Sequence, residues 1–446
     1  MSFFNTPTDK NLALLLDVVP AVLVVLVASG VCGRLAVALR QPRVLGEMVA
    51  GVLLGPTVLG KLWPHSQTSF FSADVKSVLY VWSTVGLTLF MFLVGSGFSH
   101  KAADAREGGR AAVLALSGIG VPLVLGMGVG AALHGEMSLP GVGMGEFCLF
   151  LGGALSITAF PMLARILYER NLQHSRLGRL SLLGASLDDA AAWCFLAVLT
   201  ALHGNQGLGK ALGTIALAAL FSLVMLVFVA RALKPLGERV ERTGRLGFDH
   251  LYVVLAVVLA AGWFTDLIGV YSVFGGFIAG LSMPKNPVFV AALHQRMMDM
   301  VCVLMLPAFF TFSGLNTQLD GIGGWPMLIA FLLMLAAAVT GKYTGCALAM
   351  RSIGFSWRES WAVGGLMNAR GLMILIFINV GLADHIISRD VFSLLVLVAV
   401  VTTGMALPLF RWAIPETREK QLIAAASGAS DPSDPSDASV PASARS

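Results

Sequence analysis

Residues 181–193 read Ser-Leu-Leu-Gly-Ala-Ser-Leu-Asp-Asp-Ala-Ala-Ala-Trp and place two adjacent carboxylates, Asp188 and Asp189, in an otherwise apolar run. Arg179 lies about 14 Å before Asp188 along a helix. If Arg179 marks the membrane surface, the acids lie near the middle of a hydrocarbon core about 30 Å thick. Ionisable groups at that depth are costly and usually mark a transport path. Because successive helical residues point about 100° apart, we expect the two acids to face different surroundings.

The composition of the whole chain requires a membrane. Of its 446 residues, 57% are hydrophobic and only 12% are charged, whereas soluble domains carry about 25% charged residues. So few charges cannot cover the surface of a soluble fold of this length. The composition therefore excludes a cytosolic enzyme, a disordered protein and a secreted disulfide scaffold, and it predicts an all-α polytopic membrane protein.

Apolar runs of about 20 residues, the length of one membrane-spanning helix, predict thirteen spans. They cover residues 12–33, 44–60, 76–98, 111–133, 146–168, 180–202, 211–230, 249–266, 267–284, 297–317, 325–350, 359–382 and 391–413. Most Lys and Arg residues lie in loops after the odd-numbered spans, and this side is retained in the cytoplasm. We therefore predict a multi-pass protein of the inner (cell) membrane, with its N-terminus outside and its C-terminus inside.

Two regions divide the chain. Residues 1–415 are predicted to form one transmembrane domain. Residues 416–446 turn to Ala, Ser, Asp and Pro, a composition that cannot bury enough apolar surface to fold alone. We predict a disordered cytoplasmic tail there. No nucleotide-binding domain and no nucleic-acid partner are expected.

Lys342, in the eleventh span, is the predicted partner of the acids. It lies nine residues before the cytoplasmic-edge Arg351, so it reaches a depth similar to that of the two acids. One acid could then take Lys342 as a fixed partner while the other faces a water-filled cavity. The alternatives are a structural acid pair and a lysine that snorkels to the surface, although about 14 Å exceeds the reach of the lysine side chain. Near the cytoplasmic interface, Glu47 follows Arg43 by four residues and suggests a local ion pair.

Two spans are predicted to be discontinuous. In the fifth, Ser156 and Thr158 precede Pro161, which disfavours helix at the residue before it. In the twelfth, residues 364–371 read Gly-Gly-Leu-Met-Asn-Ala-Arg-Gly and carry Asn368 and Arg370. The interrupted spans are seven apart, and an odd offset predicts an inverted repeat. Interrupted helices in corresponding positions of two halves are typical of transporter sites, because unwound carbonyls and half-helix ends bind ions.

Five motifs of the chain resemble those of the monovalent cation/proton antiporters, in the branch of plant cation/H⁺ exchangers and bacterial Kef-type K⁺ efflux proteins. The motifs are residues 45–56, 156–167, 274–280, 306–315 and 367–373. The resemblance implies a homodimer in which the fifth and twelfth spans cross. It assigns the spans in residues 12–98 and 249–317 to dimerisation and those in 111–202 and 325–413 to a core.

The resemblance also assigns roles to single residues. Asp189 matches the ion- and proton-binding aspartate, Asp188 the position before it, and Lys342 the core lysine. Relatives often carry an acid shortly after the crossover arginine, but Ile374 stands there in this chain. That departure puts an ion pair of Arg370 with an acid in doubt.

These residues together predict exchange of protons for Na⁺ or K⁺ by competition for one carboxylate, with no cofactor beyond the transported ions. Asp189 and Asp188 would hold the cation, with neutral oxygens from Ser156, Thr158 and Asn368, because hard cations prefer oxygen ligands. One alternative is a sodium-coupled symporter of a small organic anion, in which Arg370 would bind the substrate carboxylate. Another is a sensor or channel that has kept the fold.

Overall fold

The structure, a computed structural model, describes residues 9–56, 58–97, 105–203, 208–315 and 324–426. The described residues fold into helices and contain no β-strand. The helices are α1 (Lys10–Ala38), α2 (Arg43–Leu54), α3 (Leu59–Leu62), α4 (Pro64–Phe70), α5 (Ala73–Ser96), α6 (Ala105–Met137), α7 (Met144–Ser156), α8 (Phe160–Glu169), α9 (Arg176–His203), α10 (Leu208–Val224), α11 (Ala230–Thr243), α12 (Phe248–Leu267), α13 (Ser272–Leu281), α14 (Pro287–Met300), α15 (Leu306–Leu315), α16 (Trp325–Ser352), α17 (Trp357–Met367), α18 (Gly371–Ala383), α19 (Arg389–Ala413) and α20 (Glu416–Ala426). Single π-helical turns, Met225–Val229 and Val301–Met305, join α10 to α11 and α14 to α15.

The predicted all-α membrane architecture is confirmed. Ten helices or helix pairs of the described residues are long and apolar enough to cross a bilayer. The remaining predicted spans correspond to α9, to the short α13 and to the pair α17 and α18. Both predicted interruptions are present, between α7 and α8 and between α17 and α18, seven spans apart in the chain.

Glycine permits a close approach between α6 and α16, and this contact sets the position of Lys342. A Cβ atom on Gly341 would lie 2.7 Å from the Cα of Pro122, and one on Gly345 would lie 2.9 Å from the carbonyl oxygen of Ser117. Small residues let membrane helices pack backbone to backbone in this way. Lys342 follows Gly341 directly, so its side chain begins at this packed interface.

The prediction of disorder from residue 416 is wrong for the first part of the tail, because Glu416–Ala426 form α20. Leu422 and Ile423 pack against the core, and the side chain of Glu419 is only 4% exposed. Both oxygens of Glu419 accept hydrogen bonds from Arg170, at 2.9 and 2.7 Å. The Ala-, Ser-, Asp- and Pro-rich composition develops only beyond this helix, and residues 427–446 lie outside the described residues.

The two hydrogen bonds between Arg170 and Glu419 predict that this pair stabilises the attachment of α20 to the rest of the protein. Glu419→Ala removes both acceptors of the Arg170 guanidinium, and a hydrogen bond to a charged group contributes about 1.5–3 kcal/mol. We expect backbone amides of α20 to exchange with deuterium more than tenfold faster in the variant, as hydrogen-exchange mass spectrometry measures. Glu416→Ala, which changes an exposed acid on the same helix, is the matched control. Equal protection of α20 in both variants would contradict this role.

Candidate ion-binding site

The two helix interruptions lie against each other. Residues 157–159, between α7 and α8, include extended backbone at Ile157 and Ala159. The hydroxyl of Thr158 donates to the carbonyl oxygen of Met367 at 3.3 Å, and the amide of Ala159 donates to the carbonyl oxygen of Ala369 at 3.1 Å. Unwound segments leave backbone groups without helical partners, and these bonds satisfy some of them. The contact agrees with the predicted crossing of two discontinuous helices.

Arg370 and Thr403 complete the crossover by capping half-helix ends. The fully buried guanidinium of Arg370 donates to the carbonyl oxygens of Leu155 and, at 2.8 Å, Ala338. A cation at the C-terminal end of α7 offsets the partial negative charge of those carbonyls. The hydroxyl of Thr403 accepts from the amides of Arg370 and Gly371, at 3.3 and 3.1 Å, and so caps α18. Nothing local in the sequence indicated this role of Thr403.

Backbone carbonyls therefore take the place of a carboxylate partner for Arg370. Ile374, at the position where the resemblance predicts an acid, is fully buried among apolar side chains. Pro161 lies in the first turn of α8, where the missing proline amide costs no hydrogen bond. It therefore starts a half-helix and does not kink a continuous one.

Lys342 and Asp188 make the predicted contact. Nζ of Lys342 lies 2.5 Å from Oδ2 of Asp188 and 2.5 Å from the carbonyl oxygen of Ser156. Both side chains are sealed from solvent, at 0% and 1% exposure. Three spans meet at this ammonium group, because Asp188 lies on α9, Lys342 on α16 and Ser156 at the end of α7. A buried charge is tolerable only when it is paired and hydrogen-bonded.

Asp189 is also buried, at 4% exposure, but it belongs to another face of α9. Leu182, Ser186 and Asp189 follow a spacing that aligns them on one side of a helix. Leu182 lines a cavity of about 260 Å³ between α5, α8, α9 and α14. Arg179 and His174 lie at the same cavity. Burial, and then the positive charge of Arg179, lower the pKa of His174, which lies in the loop before α9.

The three predicted neutral ligands differ in what they already bind. The hydroxyl of Ser156 donates to the carbonyl oxygen of Gly153 at 2.8 Å, and Thr158 donates to Met367. The fully buried amide of Asn368 makes no side-chain hydrogen bond within the described residues. A buried polar group without a partner costs about 1–3 kcal/mol and calls for an ordered water, an ion or a functional role.

Two crossing broken helices with buried charges at their breaks define the class of secondary active transporters. Residues 22–412 match the family model described as sodium/hydrogen exchanger, transmembrane. The chain belongs to this sodium/hydrogen exchanger family.

Individual relatives agree with that assignment. The chain is 36% identical to the Na⁺/H⁺ antiporter NhaS4 of Synechocystis sp., over 90% of this chain and 97% of the relative. It is 36% identical to Cation/H⁺ antiporter 17 of Arabidopsis thaliana over 91% of this chain, and it spans about half (49%) of that relative's length. It is 29% identical to K⁺/H⁺ antiporter 1 of Saccharomyces cerevisiae, over 85% of this chain and 44% of the relative.

The fold also matches a solved structure. The sodium proton antiporter MjNhaP1 from Methanocaldococcus jannaschii aligns with a TM-score of 0.63 at 15% identity, over 92% of this chain and 99% of that one. Its sequence identity is low, so the match bears on the fold alone.

The buried ion pair predicts non-additive effects on stability. Asp188→Asn leaves the Lys342 ammonium without its counter-ion, and Lys342→Met leaves the carboxylate alone. Breaking a buried pair from one side costs about 3–5 kcal/mol. We expect each single variant to lower the unfolding temperature in detergent strongly, and the double variant to recover most of the loss. Lys234→Met, at an exposed lysine, is the control, and strictly additive losses would contradict the pairing.

Proposed function

We propose that the chain exchanges protons for a monovalent cation, Na⁺ or K⁺, across the inner membrane, and that both ions bind in turn to Asp189. The proposal depends on one observation above all. Lys342 contacts Asp188, while the adjacent Asp189 falls, by helical spacing, on the same side of α9 as Leu182, which lines the cavity. The family and the names of its relatives support the same class of reaction.

Exchange follows from competition for one carboxylate. A buried carboxylate is too costly to leave charged and unliganded while it moves through a low-dielectric barrier. Either a proton or a cation neutralises Asp189, and the two cannot bind together. If the core moves between its inward- and outward-facing states only when Asp189 is neutralised, each passage of a cation is followed by the return of protons.

Neutral oxygens would complete the shell of the cation. Na⁺ and K⁺ are hard ions that bind oxygen ligands, and the crossover offers Thr158, Ser156 and Asn368. The amide of Asn368 is the strongest candidate, because its burial without a hydrogen-bond partner among the described residues is costly. A cation bound to its oxygen would relieve part of that cost.

Asp188 and Lys342 would serve as an adjustable pair. In the unloaded state the ammonium holds Asp188, and an arriving cation would compete with the ammonium for this second carboxylate. At every stage, at least one of the two acidic side chains would then be neutralised by Lys342, a cation or a proton. The short contact and the absence of solvent at the pair support a direct exchange of partners.

The larger architecture of the proposal follows the family. We infer a homodimer held by the spans in residues 12–98 and 249–317, and a core of the spans in 111–202 and 325–413 that moves for alternating access. The distribution of Lys and Arg supports an N-terminus outside and a C-terminus in the cytoplasm.

Arg370 argues against symport of an organic anion. A substrate carboxylate would need an accessible guanidinium, but this one is fully buried and donates to carbonyl oxygens of α7 and α16. Freeing it would uncap the end of α7 at the crossover. Cation/proton exchange needs no such rearrangement.

Asp189→Asn tests the central assignment. The amide cannot bind a proton at physiological pH and gives the cation no charge, so we expect loss of cation uptake driven by a pH gradient. Purified protein in liposomes with a pH-sensitive dye measures this for Na⁺, K⁺ and Li⁺. Asp74→Asn, at an exposed acid, should keep the activity of the unmodified protein. Uptake retained in Asp189→Asn would refute the proposal.

Asn368→Ala tests the neutral ligand. Loss of one ligand oxygen worth about 1–3 kcal/mol should raise the KM for the cation by about 5- to 150-fold. The maximal rate should change much less, because Asn368 donates no side-chain hydrogen bond that holds the described structure together. Asn379→Ala, which removes an amide bonded within α18 to Leu375, is the matched control. An unchanged KM would exclude Asn368 from the ion shell.

A further inference from the structure

A second cavity lies apart from the crossover, between α1, α2, α8 and the π-helical turn Val301–Met305. Its volume is about 290 Å³. One part of its wall is apolar and includes Leu26, Gly30 and Val303, while the other part carries Arg34 and Arg43. The two arginines lie on either side of the short connection between α1 and α2.

The charges around this cavity do not balance. Arg165 lies between two carboxylates, with Nη2 3.8 Å from Glu47 and Nε 3.0 Å from Glu169. Glu47 therefore contacts Arg165, and the predicted local pair with Arg43 does not form. In the part of the chain that the structure describes, the guanidinium groups of Arg34 and Arg43 have no carboxylate within 4.0 Å. Three arginines against two glutamates leave a net positive charge at this cavity, and the two arginines without a carboxylate contact, Arg34 and Arg43, are exposed.

The apolar part of the wall opens toward an exposed apolar surface of α1 and the π-helical turn Val301–Met305. A Cβ atom on Gly30 would meet nothing within 4 Å. Val303 is 67% exposed and Val27, on the neighbouring turn of α1, is 64% exposed. Basic residues therefore stand at the cytoplasmic end of a cavity whose other end continues into an exposed apolar surface.

We propose that this cavity binds the headgroup of an anionic phospholipid of the cytoplasmic leaflet, with its phosphate between Arg34 and Arg43. Arginine pairs with phosphate through two parallel hydrogen bonds, and basic pockets between spans at the cytoplasmic side suit anionic headgroups. An acyl chain would cover Val27 and Val303. A single phosphodiester carries the charge needed to balance the cluster, and an inorganic phosphate would leave the apolar wall exposed. The inference does not depend on the proposed transport function.

The test uses the purified full-length chain in detergent. Phosphatidylglycerol, phosphatidylcholine or inorganic phosphate is added, and the unfolding temperature and the lipid retained in native mass spectrometry are measured. We expect phosphatidylglycerol alone to raise the unfolding temperature and to be retained at one molecule per protomer. The double variant Arg34→Gln/Arg43→Gln should lose both effects. Arg242→Gln/Arg245→Gln, at two exposed arginines in and just after the last turn of α11, should keep them.

A second variant tests the cavity without changing charge. Gly30→Leu adds a side chain to open space, so it should fold normally and exclude the lipid. Loss of phosphatidylglycerol binding in this variant supports the proposal.

Equal binding of phosphatidylcholine, equal stabilisation by inorganic phosphate, or phosphatidylglycerol binding retained by both variants would overturn the proposal. If Gly30→Leu changed the protein from dimer to monomer and left lipid binding unchanged, the surface around Gly30 would instead be a contact with a second copy of the chain. Because Asp189→Asn leaves this cavity intact, it should bind the lipid even if transport is lost.

Discussion

The contact between Lys342 and Asp188 is the constraint on which the core of this protein depends. Neither charge could remain at this depth alone, because an isolated ion in a low-dielectric interior is strongly disfavoured. Their contact, extended to the carbonyl oxygen of Ser156, ties together α9, α16 and the end of α7. The glycines that let α16 approach α6 serve the same arrangement, because they set the position from which the lysine side chain starts.

The crossover solves a second problem, which is the backbone exposed where two helices are interrupted inside a membrane. Every such group needs a partner within the protein, since lipid offers none. Arg370 caps carbonyls at the end of α7, and Thr403 accepts from amides at the start of α18. Arg370 joins the second half of the chain to α7 in the first, whereas Thr403 on α19 caps α18 within the second half. Asn368 stands out against this background because its amide makes no such bond in the described residues.

Much of this arrangement follows from local sequence, and some of it does not. The spans, both interruptions and the matching depths of Asp188 and Lys342 follow from apolar run lengths and the distance to the nearest arginine. The role of Thr403, the carbonyl partners of Arg370 and the contact of Glu47 with Arg165 depend on tertiary packing between segments far apart in the chain. α20 was not predicted because its sequence is mostly polar and alanine-rich, and its contacts with the rest of the protein, the pair of Glu419 with Arg170 and the packing of Leu422 and Ile423, involve segments far away in the chain.

The buried charges at the crossover have a consequence for ion valence. In a site used as we propose, Lys342 balances Asp188, and the transported ion neutralises the single negative charge of Asp189. Na⁺ or K⁺ does so completely, whereas Mg²⁺ or Ca²⁺ would leave one positive charge in excess. An uncompensated charge in a low-dielectric interior is strongly disfavoured. We therefore expect the charges of these side chains to favour monovalent over divalent ions.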